Sequence, residues 1–355
     1  MGAQVAAFCV SAVGGGTMFV RWWGMEEEDR RQVWELYGWF SGLMWLGSVF
    51  GAVAWGAWML FLVADFTPGL TPAQNQSLLA KTQYWIATFL VTYAIEFLCL
   101  SVVKLLVLDC MADFELAKGG GMRRLLGVGG RVVMAVVVVG NAAGLCGNVA
   151  AAVYFKEAGD LYMAASSAYA ANNTDAGVKF ANLALQKESV ANEVASVQSF
   201  CEVVVLLIII LAFAAVGVAC ARRISSALRI LSNEHEAVTA VGRQLRRQIV
   251  GTTAFVFVTF LLRAVFSTMN ALANALQNDG ASCTSNCDPS CFNVWTLIQF
   301  WLQFTPEFQL SVVLISSPLA LLVALRGMTD KRALQHMRSG RGMTVSMVSQ
   351  PLVAA

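Results

Sequence analysis

The chain has 355 residues, of which 57% are hydrophobic and 13% charged, with a formal net charge of +2 and a mean hydropathy of +0.64. A soluble domain carries about 25% charged residues, so this composition excludes an ordinary water-soluble protein. The net charge itself says little, because in membrane proteins the distribution of charge carries the signal. With only two histidines, His235 and His336, chemistries that need histidine ligands within the membrane are excluded.

Residues 1–20 are mildly apolar and interrupted by Gly14-Gly15-Gly16. No basic residue precedes Arg21, so the stretch is not read as a signal peptide, and Ala6 stands where a myristoylation signal needs Ser or Thr. Two readings stay open: an irregular leader, or a truncated first membrane helix. A charged stretch, Arg21 to Arg31, follows.

Six long apolar segments come next, at 33–64, 84–108, 131–155, 199–220, 249–272 and 292–325. A hydrocarbon core of about 30 Å takes about 20 helical residues, and each segment is long enough. Backbone groups in lipid must be satisfied within the segment, so helices are expected. The expected fold is all-α: a polytopic membrane bundle over 1–330, with six clear helices plus the truncated first one, and a tail over 331–355. This gives a seven-helix topology with a cytoplasmic C-terminus.

The loops alternate in character. Residues 65–83 hold the sequon at Asn75, 156–198 hold the sequon at Asn172, and 273–291 hold Cys283, Cys287 and Cys291. Single crossings put these loops on one side, where the only basic residues are Lys81, Lys156, Lys179 and Lys187. The opposite side collects 18 of the 24 Lys and Arg, and Lys104 and Arg263 lie within segments. Positive loops stay cytoplasmic. Asn75 and Asn172 thus become glycosylation candidates, and the cysteines become disulfide candidates, with Cys201 as a possible partner for the odd one. The stretch 156–198 is rich in helix formers. The helices on either side are expected to run on beyond the membrane and meet there in an extracellular helical hairpin, with Asn172-Asn-Thr-Asp175 in its middle and Thr174 or Asp175 capping the second arm.

Polar residues within the apolar segments mark the candidate site. Arg263 interrupts Phe260-Leu-Leu-Arg263-Ala-Val-Phe266, and a bare arginine at mid-membrane costs roughly 3 kcal/mol or more. Thr252, Thr259, Ser267 and Asn270 fall within about 40° of it on a helix. Thr296, Gln303, Glu307 and Ser311 share a face of the last segment, so Glu307 is the expected partner of Arg263. Such a pair reads either as a clasp that holds two helices in register or as a ligand-facing switch. Glu96 is expected at mid-membrane as a protonated, hydrogen-bonded glutamate, and Lys104 is expected to snorkel to the headgroups. Gly38, Gly42, Gly47 and Gly51, and Asn141 and Asn148 beside Gly140, Gly144 and Gly147, are read as helix-packing positions, with the asparagines adding interhelical bonds.

Both histidines fall in cytoplasmic loops, which excludes a haem or a membrane zinc site. No phosphate-binding glycine motif precedes a soluble helix. No catalytic residue, cofactor or metal is expected, the chain is not read as an enzyme, and nothing points to nucleic acid.

From Gly242-Arg-Gln-Leu-Arg-Arg-Gln248 through Phe260-Leu-Leu-Arg263 to Pro306-Glu-Phe308 and Ser316-Ser-Pro318, the chain resembles the plant tobamovirus multiplication protein family. That family is heptahelical and loosely similar to G-protein-coupled receptors. The resemblance covers about a quarter of the chain. It implies a receptor-like, signal-transducing protein of the plasma membrane rather than an endomembrane. An outer ligand or protein would bind on the hairpin side, and a cytoplasmic partner would bind at the basic loop 221–248 and the tail. Rhodopsin-class signatures are missing: the third helix ends Leu108-Asp109-Cys110-Met111, and the last has Ser317-Pro318-Leu-Ala-Leu321. Two other classes remain open on the same residues, a transporter or channel using Glu96, Arg263 and Glu307, and a structural or scaffolding membrane protein.

Overall fold

The structure, a computed structural model, describes residues 2–24, 35–67, 69, 71–116 and 120–231, with selected positions between 247 and 301. Five helices are defined: α1 Gly2–Trp23, α2 Glu35–Asp65, α3 Pro72–Leu116, α4 Gly120–Ala170 and α5 Thr174–Leu231. Residues 261–269 are also helical, and no strand occurs among the described residues.

The helices run alternately up and down. Phe8 of α1 faces Gly51 of α2, and Trp22 faces Gly38; these pairs fix an antiparallel register. In the same sense Trp55 of α2 meets Phe89 of α3, Gly159 of α4 meets Tyr84 of α3, and Gly140 of α4 meets Val205 of α5. The Gly2 end of α1 and the α4–α5 turn therefore lie at the same end of the bundle.

Glycines set the closeness of α1 to α2. A Cβ added at Gly38 would lie 2.2 Å from the Trp22 ring, and one at Gly51 would lie 2.5 Å from Phe8. Gly42 receives Phe19, while Gly47 turns the other way onto Cys99 and Leu100 of α3. The packing expected of these four glycines is thus present. The Gly14-Gly15-Gly16 run does not break α1, because Gly15 and Gly16 are the places where Trp45 of α2 comes closest. Of the two readings of residues 1–20, the helix is the one found.

Three helices outrun the apolar segments read from the sequence. At 1.5 Å per residue, the 45, 51 and 58 residues of α3, α4 and α5 span about 68, 77 and 87 Å, more than twice a hydrocarbon core of about 30 Å. Much of the expected loop 65–83 is the first three turns of α3. Thr71 caps it by accepting a hydrogen bond from the Gln74 amide at 3.2 Å, and Pro72 occupies the first helical position, where its missing N–H costs nothing. The reason for the overrun is that apolar length measures the lipid crossing and not the helix. Outside lipid, polar helix formers continue the same backbone ladder.

At the turn between α4 and α5, Asn172 has φ of 57°, a left-handed conformation that asparagine tolerates better than most residues. The cap of α5 is Asn173, whose side-chain oxygen accepts from the Ala176 amide at 3.1 Å. This corrects the expectation of Thr174 or Asp175, which form the first turn instead. α4 and α5 form a helical hairpin across 156–198, and α3 joins it. Ser166 donates to the Ala73 carbonyl at 2.7 Å, Tyr84 to Asp160 at 2.7 Å and Tyr162 to Glu188 at 3.0 Å. Lys187 pairs with Glu157 at 2.7 Å.

The main core lies below this clasp. Phe40 and Met44 of α2, Phe97, Leu100 and Val103 of α3, and Leu206, Ile209 and Phe213 of α5 are buried together with Ala264.

Candidate functional site: a buried charge cluster

Arg263 is the centre of the cluster, and its neighbours come from α3 and α5. On α3, residues one turn apart put Phe89, Tyr93 and Phe97 in a row. Tyr93 stacks on Phe89 with centroids 5.3 Å apart, and Phe89 touches Trp58 of α2 at 5.0 Å. The guanidinium carbon of Arg263 sits 5.6 Å from the Tyr93 ring centroid and 5.4 Å from that of Phe97. Two ring faces thus replace part of the hydration that the cation loses on burial.

The hydrogen bonds run in one direction. Arg263 Nη2 donates to the Tyr93 hydroxyl at 3.1 Å. Tyr93 donates to Glu202 Oε1 at 2.8 Å, and Ser267 donates to the same oxygen at 3.1 Å. Arg263 Nε is 3.7 Å from Glu202 Oε1, and Nη1 is 3.9 Å from Glu96 Oε1. Arg263, Glu96 and Glu202 are each no more than 5% exposed. Charges this deep need partners of opposite sign, and here two carboxylates face one guanidinium.

The structure redistributes the expected site residues. Arg263 and Glu96 are brought together, and Ser267 of the expected polar stripe joins them. Thr259, Asn270, Gln303 and Glu307 lie outside the described residues, as do Cys283, Cys287 and Cys291. The described neighbours of Arg263 include Glu96, Glu202, Tyr93 and Phe97. Glu96 is not hydrogen-bonded as expected: neither of its carboxylate oxygens has such a partner among the described residues. Lys104 does not snorkel. It is fully buried, with Nζ 5.9 Å from the Phe97 centroid, because its position on α3 faces the helix packing and not the headgroups. Asn141 hydrogen-bonds its own helix, at the Val137 carbonyl (2.7 Å), rather than a neighbouring one. Cys201 is a free thiol among the described residues. Asn75 and Asn172 are exposed at the clasp end.

Glu202 and Tyr93 were missed. Glu202 carried a usable signal: a carboxylate directly before Val203-Val-Val-Leu-Leu-Ile-Ile-Ile210 is as anomalous as Glu96. Tyr93 carried none, since a tyrosine in an apolar helix is unremarkable until its hydroxyl is seen to bridge Arg263 and Glu202.

Five helices among the described residues are long and apolar enough to cross a membrane. These helices, together with exposed apolar faces such as Val139, Val204 and Leu211, define an integral, multi-pass membrane protein whose environment is the bilayer. Comparison with family models, with curated proteins and with solved structures finds no match.

Proposed function

We propose that the protein is a receptor-like, seven-helix signalling protein. It binds a ligand or partner at the hairpin end, and the Arg263 cluster is the contact that changes on binding. The observation that carries this reading is that α3 and α5 each belong to both places. α3 holds Tyr84, bonded to Asp160, and also Tyr93 and Glu96. α5 holds Glu188, bonded to Tyr162, and also Glu202. The separations along each rod are only about 14–21 Å at 1.5 Å per residue, and a continuous helix passes a tilt or rotation at the clasp directly to the cluster. The charge bias of the loops supports an extracellular hairpin and a cytoplasmic readout at 221–248 and the tail.

The test is a distance measurement. Spin labels at position 108 of α3 and position 222 of α5 would be compared in the parent protein and in Arg263→Gln. A second pair on the hairpin, at positions 75 and 172, serves as the control. A shifted or broadened distribution at 108/222 with the hairpin pair unchanged is the expected result. Unchanged distributions at both pairs would reduce the cluster to a static clasp and favour a scaffolding role.

A further inference from the structure

A second row of buried polar groups runs along the α4–α5 seam, and the Arg263 cluster does not account for it. Asn148 is fully buried, and neither its Oδ1 nor its Nδ2 has a hydrogen-bond partner among the described residues. Two turns along α4, Asn141 is 5% exposed and leaves its Oδ1 without one. Between the helices lies a narrow cleft of about 10 Å³, lined by Gly140, Asn141, Gly144, Gln198 and Glu202 among others. That volume is at the lower limit for a single water. Glycine makes the gap: Gly144 and Gly147 both turn their missing Cβ toward Gln198. Buried amides of this kind are satisfied by water, and Gln198 and Asn141 line the cleft together with Glu202.

The two carboxylates of the cluster are held differently. Glu202 Oε1 receives hydrogen bonds from both Tyr93 and Ser267, the donors an anion needs. Glu96 is fully buried and receives none among the described residues, and its contact with Arg263 at 3.9 Å exceeds hydrogen-bond length. The titratable and charged groups described around the pair are Tyr93, Cys99 and Lys104 on α3, and Arg263; α4 brings only the neutral Asn141 to the cleft.

We propose that Glu96 and Glu202 form a proton-binding site. One exchangeable proton resides on Glu96 and reaches the pair through water in the α4–α5 cleft, beside Gln198 and Asn141. The step is a proton transfer. An O–H bond forms on the carboxylate as one breaks on the water in the cleft, which regains a proton from the solvent beyond it, and release is the reverse. Arg263 keeps its charge throughout and holds Glu202 as the anion.

The test is infrared spectroscopy on the purified full-length chain in lipid nanodiscs, which reads protonation directly and not signalling. The C=O stretch of an un-ionised carboxylic acid is expected at neutral pH in the parent protein. It should be absent in Glu96→Gln and retained in Glu202→Asp, which keeps the counter-anion of Arg263. On transfer to D₂O the band should shift promptly in the parent and at least tenfold more slowly in Asn141→Leu. Glu96→Asp, which keeps the acid and moves it, serves if Glu96→Gln does not fold; its band should shift in frequency. A parent spectrum with no such band, or a band unaffected by either Glu96 variant, overturns the site. Exchange in Asn141→Leu as fast as in the parent overturns the seam as its route.

Discussion

Removing the Arg263 side chain exposes the energetics of the cluster. Arg263→Met keeps much of the apolar volume and deletes the cation. At about 4 Å, two unit charges in an effective dielectric of about 20 interact by about 4 kcal/mol, and Arg263 lies 3.7 Å from the anionic Glu202, with the Glu96 carboxyl 3.9 Å away. The guanidinium also donates to Tyr93 and touches two rings. These gains are set against the cost of burying the arginine itself. The net figure is therefore that for breaking a buried pair by removing one partner, about 3–5 kcal/mol, most of it from carboxylate left without a cation. The triple variant Arg263→Met/Glu96→Gln/Glu202→Gln removes the stranded Glu202 charge together with its partner and replaces the Glu96 acid by a neutral amide, and should lie within about 2 kcal/mol of the parent. Unfolding in mixed detergent micelles, followed by circular dichroism, measures both. If Arg263→Met costs less than about 1 kcal/mol, or if the triple variant is no more stable than the single one, then the cluster is not the electrostatic unit described here.

Three further outcomes follow from the packing. Gly38→Ile and Gly51→Ile should separate α1 from α2, because their Cβ positions fall 2.2 and 2.5 Å from Trp22 and Phe8; Gly56→Ala, with nothing within 4 Å, should be neutral or stabilise by about 0.5–1 kcal/mol. Cysteine cross-linking between positions 15 and 45 reads the separation. Tyr162→Phe leaves Glu188 without its 3.0 Å hydrogen bond and should cost about 1–3 kcal/mol, seen as faster amide exchange in the hairpin arms and not in the α3–α5 core. Asn173→Ala removes the cap of α5 at a cost of about 1 kcal/mol, whereas Asn172→Gly, at φ of 57°, should be tolerated; thermal melts of the two variants compare them directly.

The sequence by itself determined the class of protein and the kinds of residue in its interior. Runs such as Val203-Val-Val-Leu-Leu-Ile-Ile-Ile210 admit helix in lipid and little else, because the bilayer offers the backbone no other hydrogen-bond partner. The glycines of α2 and of α4 were legible as contact positions for the same reason, since a missing side chain in lipid is useful chiefly for close approach. The hairpin, with Asn172-Asn-Thr-Asp175 in its middle, was legible from local chemistry. Arg263 and Glu96 were legible as anomalies, single charges in apolar runs.

What only the tertiary structure decided is which groups answer one another. Glu202 is 61 residues from Arg263 and Glu96 is 167 away. Periodicity assigns each residue a direction on its own helix, but it does not say which neighbouring helix that direction meets. The fate of Lys104 turns on the same point: a snorkelling lysine and a buried one have identical local sequence, and the rotation of α3 against its neighbours separates them. The length of α3 was decided there too, because Tyr84–Asp160 and Ser166–Ala73 hold its first turns against the hairpin, beyond the apolar segment. Apolar length is a property of the solvent a segment meets. Partnership is a property of how the rods are rotated and packed, and packing is set by all of the helices at once.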